Sequence, residues 1–296
     1  MKGNVYSLFV LIAAFFWGTT GTVQALAPES ATPLAFGAVR LLVGGSAMLL
    51  VVWISRELHV KNWSWPPVFL AAICMACYQP LFFTAVKETG IAVGTVIAIG
   101  SAPIIAGSLE WAVLKKRPRN SWWIATVLAL AGCWLLFSDG SNVRIDVSGV
   151  LMAIGAGASF AGYTLISKSM MKTQPPRATS AVVFMLSAIL LMPLLWQSDL
   201  SWMLTPKGWG TSLYIGVIAT CAAYFLFAKG LTGVPASAAV TLSLAEPLTA
   251  SLLGVFFIGE MLSLSSWLGI VLMMLGLLVI SGAPRKQKPA EAAHVS

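Results

Sequence analysis

The sequence predicts an all-α membrane protein of ten transmembrane helices, built as an inverted-topology repeat of five plus five. The first observation is composition, because 58% of the 296 residues are hydrophobic and only 9% are charged, whereas soluble domains carry about 25% charged residues. The second is a series of apolar segments long enough to cross a bilayer as helices. The third is a resemblance between the two halves of the chain, described below.

Ten apolar segments of membrane length follow one another along the chain. They lie at about 5–25, 33–54, 66–87, 91–114, 121–138, 147–169, 178–197, 209–229, 236–259 and 262–282. The connections between them are too short to form a soluble domain. We therefore expect a first five-helix repeat at 1–140, a second at 141–283, and a disordered cytoplasmic tail at 284–296, which is polar and rich in Ala and Lys.

The first apolar segment has features of a signal peptide. Lys2 precedes it, and Ala25-Leu26-Ala27 resembles a cleavage site. However, the run from Val5 to Ala25 is longer than the roughly 7–15 apolar residues of a signal peptide. We expect it to be retained as the first helix.

The distribution of Lys and Arg predicts the orientation. If the N-terminus is cytoplasmic, the inner connections hold most of the basic residues, and the outer ones hold only Lys87, Arg144 and Lys207. Positive charge collects on the cytoplasmic side of membrane proteins. We therefore expect both termini in the cytoplasm, and topology accounts for the net charge of +8 without a nucleic-acid partner.

The two halves repeat each other when Pro103 is aligned with Pro247, an offset of 144 residues. This alignment pairs Ser121 with Ser265, Trp123 with Trp267, Leu128 with Leu272 and Gly132 with Gly276. After one gap, Thr89-Gly90 pairs with Thr232-Gly233. Because each half has an odd number of helices, the second half enters the membrane in the opposite sense. Inverted repeats of this kind are typical of secondary transporters.

The sequence resembles the EamA-type branch of the drug/metabolite transporter superfamily. The residues that carry the resemblance are Trp17-Gly18, Arg40, Glu246-Pro247, Gly259-Glu260 and Gly276, with a weaker first-half copy in Ala102-Pro103, Lys116 and Ala131-Gly132. The chain is most similar to bacterial aromatic amino-acid exporters. The resemblance implies a ten-helix fold and export of small metabolites, including amino acids, or of drugs. The first half has no acid equivalent to Glu260.

Glu246 lies near the middle of the ninth apolar segment, where a carboxylate costs about 2.5–3.5 kcal/mol on insertion scales. The following residue, Pro247, has no N–H, so the carbonyl of Ser243 is expected to lack its helical donor. An acid at this depth is a candidate functional residue. Glu246 could carry a proton, bind a substrate ammonium group or pair with a basic side chain, or it could be purely structural.

Other polar and aromatic side chains recur near the middle of the spans at helical spacing. We expect them to converge with Glu246 on a central substrate cavity. The candidates are Trp17, Thr20, Gln24, Tyr78, Gln79, Phe82, Ser159, Tyr163, Thr220, Tyr224, Ser243 and Glu246. Such a cavity suits a substrate that is part apolar ring and part zwitterion. The alternative for each residue is a helix–helix contact, and that structural reading is favoured for Arg40. Glu110 is expected to be solvated or paired with Lys115.

Pro80, Pro103 and Pro247 are the hinge candidates, because proline kinks a helix. No metal site is expected, since His59 and His294 lie in a connection and in the tail. No cofactor is expected, and the sequence has no phosphate-binding loop of the G-x-x-x-x-G-K-[ST] type.

The predicted function is secondary transport: export of small metabolites, with aromatic or other neutral amino acids first, by alternating access through the central cavity. The partners expected are a small-molecule substrate and the bilayer of a bacterial inner membrane, with the protein working as a monomer. The alternatives are a drug or other metabolite exporter of the same fold, or a membrane binding partner without transport. An enzyme is not expected, because no nucleophile–base pair or metal cluster is found in the spans.

Overall fold

The computed structural model describes residues 2–58, 63–115, 117–137, 146–259 and 261–282. Within those ranges the ordered structure is helical, and nine helices are long and apolar enough to cross a membrane. A tenth apolar helix, Pro176–Leu190, has 15 residues. Several residues named above lie outside the described part: His59, Lys116, Arg144, Glu260, His294 and the tail at 284–296.

The ten helices are labelled α1 to α10 in chain order. Their bounds are Lys2–Ala25, Pro33–Ile54, Trp65–Thr89, Ile91–Leu114, Asn120–Phe137, Val147–Met170, Pro176–Leu190, Pro206–Gly233, Ala236–Phe257 and Leu264–Gly282. The predicted all-α membrane fold is confirmed.

Local sequence explains where several helices begin. Thr32 precedes Pro33, and its hydroxyl accepts the N–H of Ala35 at the start of α2. Thr205 plays the same part ahead of Pro206, at the start of α8. Proline is favoured in the first turn because that turn's N–H groups have no helical acceptor, and a side-chain oxygen one residue earlier satisfies one of the others.

Two of the predicted spans are interrupted. The span at 178–197 is divided at Leu191, and a short helix, Met192–Trp196, follows with Pro193 in its first turn. In α9, Ala236–Leu242 is separated from Ala245–Leu253 by a break at Ser243 and Leu244. Within α8, the stretch Tyr214–Ala222 is π-helical, a widened turn that is frequent at functional sites.

Helix pairing follows the two-half organisation. The most extensive contacts are α3 with α6, α5 with α10, α4 with α6, α2 with α7, and α1 with α8 and α9. If each helix is exchanged for its counterpart five places along, α3–α6 becomes α8–α1 and α4–α6 becomes α9–α1. The pairs α5–α10 and α2–α7 map onto themselves. This is the pattern that two halves related by a pseudo-two-fold axis produce.

The α5–α10 contact shows the same relationship at the level of residues. A Cβ added to Gly132 would lie 2.5 Å from the carbonyl oxygen of Gly269, and one added to Gly276 would lie 2.7 Å from that of Ala125. An offset of 144 residues converts the first pair into the second. Small residues at both points let the two helices approach closely.

Candidate functional site

A small cavity lies in the middle of the bundle, where seven helices meet. Its volume is about 30 Å³, and it is lined by Trp17, Arg40, Tyr78, Ala98, Ile99, Ala102, Phe160, Tyr224, Ser243 and Glu246. A space of roughly 10–15 Å³ accommodates one water molecule. The cavity is therefore large enough for water and too small for an amino acid, so the structure is closed around its centre.

The break in α9 places Glu246 in the cavity. The carbonyl of Ser243 does not stay without a donor, as the sequence suggested, because it accepts the N–H of Glu246 over 2.9 Å. The Ser243 hydroxyl donates to the carbonyl of Val240 at 2.7 Å. Glu246 thus lies in the first turn of the second segment of α9. Discontinuous helices of this kind form the central sites of many transporters.

Gly18 allows α1 to approach this break. A Cβ on Gly18 would lie 2.5 Å from Cβ of Thr249 and 2.7 Å from the carbonyl oxygen of Glu246. Any larger residue would push α1 away from α9. The Trp17-Gly18 pair therefore brings an aromatic ring to the cavity and lets the backbone of α1 contact the turn that carries the acid.

Arg40 also lines the cavity, contrary to the structural role favoured for it. Its Nε donates to the hydroxyl of Thr220 in α8 over 3.0 Å. Among the lining residues, Arg40 is the basic one and Glu246 the acidic one. A guanidinium can hold a carboxylate through two parallel hydrogen bonds. The cavity therefore presents one basic and one acidic side chain.

Aromatic rings surround these two charges. The Trp17 ring lies 4.6 Å from Tyr224 and 6.0 Å from Phe160, centroid to centroid, and Phe160 lies 6.0 Å from Tyr78. Trp17 is 3% exposed, and its indole Nε1 has no hydrogen-bond acceptor among the described residues. An indole N–H is a donor that is usually satisfied when buried. Trp17 therefore brings to the lining a buried donor that the described residues leave unsatisfied.

The residues predicted for the cavity separate into two groups. Trp17, Tyr78, Tyr224, Ser243 and Glu246 line it. The others are not among the lining residues: Thr20, Gln24, Gln79, Phe82, Ser159, Tyr163 and Thr220.

Three of that second group support the lining from behind. Phe82 stacks on Tyr78 with centroids 5.8 Å apart, Tyr163 packs edge-on to Tyr224 at 6.1 Å, and Thr220 holds Arg40. Gln79 instead faces α2, since its Oε1 lies 2.9 Å from where a Cβ on Gly37 would be.

The remaining three predicted residues lie on α1 and α6. Thr20 and Ser159 are half-buried on α1 and α6, and Gln24 is near the end of α1.

The hinge candidates also differ in position. Pro80 and Pro103 lie inside helices that continue through them. Pro247 follows the break in α9 directly. Of the three, only Pro247 coincides with an interruption of its helix.

The sequence reasoning missed Arg40, Phe160 and the apolar side formed by α4. A signal for Phe160 was present in the repeat. The one-gap alignment that pairs Thr89 with Thr232 has an offset of 143, and the same offset pairs Trp17 with Phe160. These two rings meet edge-on at the centre of the bundle. For Arg40 the sequence carried no comparable signal.

The two ends of the bundle differ. Where α1 ends and α8 begins, an open crevice of about 670 Å³ is lined by residues that include Ala27, Glu29, Lys207 and Tyr214. Tyr214, which lines this crevice, donates its hydroxyl to that of Thr19 over 3.0 Å. One hydrogen bond thus joins α8 to α1 beside the crevice.

The opposite end is closed by two charged side chains. Glu110 is 6% exposed, and its carboxylate accepts from the N–H and hydroxyl of Ser237 at 3.0 and 2.6 Å, at the start of α9. Lys168 donates to the carbonyls of Leu231 and Val234 at 2.7 and 2.5 Å, at the end of α8. The α8–α9 connection is thus held on both sides, and Glu110 acts as a helix cap where solvation or pairing with Lys115 was expected.

Comparison with known proteins identifies the family of the chain. A model described as the EamA-like transporter family matches residues 4–138 and again residues 147–282. The chain is 92% identical over 296 residues to the uncharacterized transporter YwfM of Bacillus subtilis strain 168, with 100% of each chain covered. It is 30% identical over 235 residues to the threonine/homoserine exporter RhtA of Salmonella typhimurium strain SL1344, covering 76% of this chain and 74% of that one.

Two further similarities are to a more distant exporter and to a solved structure. The threonine/homoserine exporter RhtA of Escherichia coli strain K12 is 25% identical over 265 residues, covering 86% of this chain and 84% of its own. One crystal structure aligns with a TM-score of 0.81 at 18% identity, over 93% of this chain and 95% of the other. At that identity the likeness supports the fold alone.

Proposed function

The chain belongs to the EamA-like transporter family, and from that premise we propose that it exports a neutral amino acid by alternating access. The observation that carries the proposal is the presence of Arg40 and Glu246 in one aromatic-lined cavity. An α-amino acid bears a carboxylate and an ammonium group on one carbon. A site with one cation and one anion is complementary to both groups.

The roles follow from the chemistry of each side chain. Arg40, oriented by Thr220, binds the substrate carboxylate, because a guanidinium matches carboxylate geometry. Glu246 binds the ammonium group. Trp17, Tyr78, Phe160 and Tyr224 contact the substrate side chain, and the indole N–H of Trp17 can donate to a substrate oxygen.

In this proposal the substrate side chain is an aromatic ring or another uncharged group. Aromatic amino acids fit the four rings of the lining, and threonine is supported by the printed names of the RhtA relatives. Both are neutral amino acids. A net-charged substrate would leave one of the two cavity charges uncompensated, which is costly in a membrane interior.

The closed cavity and the unequal ends support alternating access. The centre is too small for the substrate, so binding requires one end to open. In the orientation that the basic residues predict, the crevice beside Tyr214 faces outwards, and the end closed by Glu110 and Lys168 faces the cytoplasm. The two halves lie in one chain, so we propose a monomer in a bacterial inner membrane.

A second candidate within the family is export of a drug or another metabolite. An apolar drug would use the rings and would have no need of both charges. The presence of charged groups on the substrate therefore distinguishes the two functions. A drug exporter would accept aromatic compounds without charged groups as readily as zwitterionic amino acids.

The test is flux in proteoliposomes. Vesicles that contain the protein and are loaded with unlabelled phenylalanine or threonine should take up the labelled amino acid by exchange. Vesicles loaded in the same way but lacking the protein should not. The exposed residue Arg56 provides a charge-matched control, so Arg56→Gln should keep the flux while Arg40→Gln loses most of it. Absence of exchange for every neutral amino acid tested would refute the proposal.

A further inference from the structure

A second pocket, distinct from the central cavity, opens at the end of the bundle that Glu110 closes. Its volume is about 200 Å³. It lies between the α4–α5 connection, the first turn of α5, the start of α9 and the end of α10. The residues that line it are Glu110, Arg117, Pro118, Arg119, Ser121, Trp122, Pro235, Ser237, Ala238 and Ile280.

The polar groups of this pocket are mainly hydrogen-bond donors. Arg117 and Arg119 bring two guanidinium groups, and Ser121 adds a hydroxyl. Trp122 is 3% exposed, and within the described part of the chain its Nε1 has no hydrogen-bond acceptor. Two guanidinium groups with further donors at one site are suited to the oxygens of a phosphate.

Glu110 also lines the pocket, but it does not cancel the positive charge of the two arginines. Glu110 has both carboxylate oxygens engaged by the start of α9: Oε1 accepts the N–H of Ala236 at 3.4 Å, and Oε2 accepts the N–H and hydroxyl of Ser237. The positive end of the α9 dipole faces it as well. The pocket lining thus holds two arginines and one carboxylate whose oxygens both accept hydrogen bonds from the start of α9.

Exposed tryptophans place the pocket at the depth of lipid headgroups. Trp111, at the end of α4, is 48% exposed, and Trp123, at the start of α5, is 50% exposed. The Arg117 guanidinium lies 5.4 Å over the Trp111 ring. Tryptophan collects at the level of the headgroups in membrane proteins. The pocket therefore opens where phospholipid phosphates are concentrated.

We propose that this pocket binds the phosphate of an anionic phospholipid headgroup, such as phosphatidylglycerol. The pocket opens at membrane level, and its volume exceeds that of a phosphate alone. Basic pockets between helices on the cytoplasmic side of membrane proteins bind such headgroups. A lipid held there contacts both the α4–α5 connection and Ser237, so it stabilises the end of the bundle that Glu110 closes.

The test compares lipids on the purified full-length protein in detergent. Phosphatidylglycerol should raise the unfolding temperature and remain bound in native mass spectrometry, whereas phosphatidylcholine should do neither to the same extent. Arg117→Gln/Arg119→Gln should weaken phosphatidylglycerol binding on the order of tenfold or more, since each basic residue contributes to the attraction. Trp122→Phe, which keeps the ring against Gly107, should weaken binding to a smaller degree.

The control is Arg56→Gln/Lys172→Gln, which removes two exposed basic residues from the same end of the bundle outside the pocket. It should bind phosphatidylglycerol as the unaltered protein does. The proposal is refuted if phosphatidylglycerol and phosphatidylcholine bind equally, or if both double variants lose the same affinity. Inorganic phosphate or glycerol phosphate that stabilises as well as the lipid would show a small-anion site and would also overturn the lipid assignment.

Discussion

Arg40 donates its Nε–H to the hydroxyl of Thr220 over 3.0 Å, and this bond joins α2 of the first half to α8 of the second. Thr220 in turn donates to the carbonyl of Ile215 at 2.7 Å, within the π-helical part of α8. The hydroxyl is thus fixed from one side and orients the guanidinium from the other. We propose that Thr220 is a positioning residue for Arg40.

Thr220→Val keeps the shape of the side chain and removes its hydroxyl. We expect KM for the amino acid to rise about fivefold, the equivalent of one hydrogen bond of about 1 kcal/mol, with the maximal flux nearly unchanged. Thr220→Ser retains the hydroxyl and should behave close to the unaltered protein. A similar change in KM for both variants, measured by exchange flux, would contradict the positioning role.

Gly18 and Gly21 form a matched pair on α1. A Cβ on Gly18 would meet Thr249 and the carbonyl of Glu246, whereas one on Gly21 would meet nothing within 4 Å. We expect Gly18→Ala to lower stability by about 1–3 kcal/mol, the usual effect of overpacking, and to reduce flux because α9 moves at Glu246. Gly21→Ala should leave flux unchanged and should not lower stability, because alanine is the better helix former. Thermal unfolding in detergent and exchange flux measure the two effects, and equal behaviour of the two variants would count against the close α1–α9 contact.

Glu110 caps α9 from α4, so its removal leaves buried donors unsatisfied. Glu110→Ala should destabilise the protein by about 1.5–3 kcal/mol, as expected for hydrogen bonds to a charged group. Glu110→Gln, which can still accept from Ser237, should lose less. The exposed acid Glu29 supplies the control, and Glu29→Ala should unfold at the temperature of the unaltered protein. If Glu110→Ala were as stable as that control, the cap would have no energetic role.

Asp146 precedes α6 and accepts from the hydroxyl of Ser148 and from the N–H groups of Ser148 and Gly149. The hydrogen bond from the Ser148 side chain, and then those from the backbone, lower the pKa of Asp146 below its ordinary value of 3.8. A lowered pKa stabilises the fold above the unfolded-state pKa, and that stability is lost as the pH falls through the folded-state value.

The unfolding temperature should therefore fall as the pH is lowered below about 4, and Asp146→Asn should show a smaller fall because its side chain does not titrate there. Asp199 also has a lowered pKa, owing to its hydrogen bonds with Ser201, and leaves a residual dependence in both proteins. Identical pH profiles for the two proteins would exclude a contribution from Asp146.

The helices could be predicted because hydrophobic length alone identifies a membrane span. Two cavity residues could also be predicted from their side chains. Trp17 is a large aromatic residue at mid-span, and Glu246 is an acid whose burial in a membrane is costly. The break at Ser243 was only half predicted. Pro247 predicted an irregular turn of the helix. The hydrogen bond from the Glu246 N–H to the Ser243 carbonyl could not be predicted, because it depends on the conformation that the backbone adopts before the proline.

Which side of each helix faces the cavity could not be predicted to the same extent. The hydrophobic periodicity that normally identifies a buried face is weak in a span that is apolar all round. Tyr78 and Gln79 are neighbours in sequence and point about 100° apart on a helix, so one reaches the cavity and the other faces α2. Arg40 was assigned a structural role because nothing in its own helix indicates that α2 reaches the cavity beside α8.

The most direct test of the account uses substrates that each lack one charge. Exchange flux should be measured for phenylalanine, for phenethylamine, which has no carboxylate, and for phenylpropionate, which has no ammonium group. The unaltered protein should strongly prefer phenylalanine. Arg40→Gln should lose the preference over phenethylamine, and Glu246→Gln the preference over phenylpropionate. Equal flux of all three compounds through the unaltered protein would contradict the pairing of Arg40 and Glu246 with the two ends of a zwitterion.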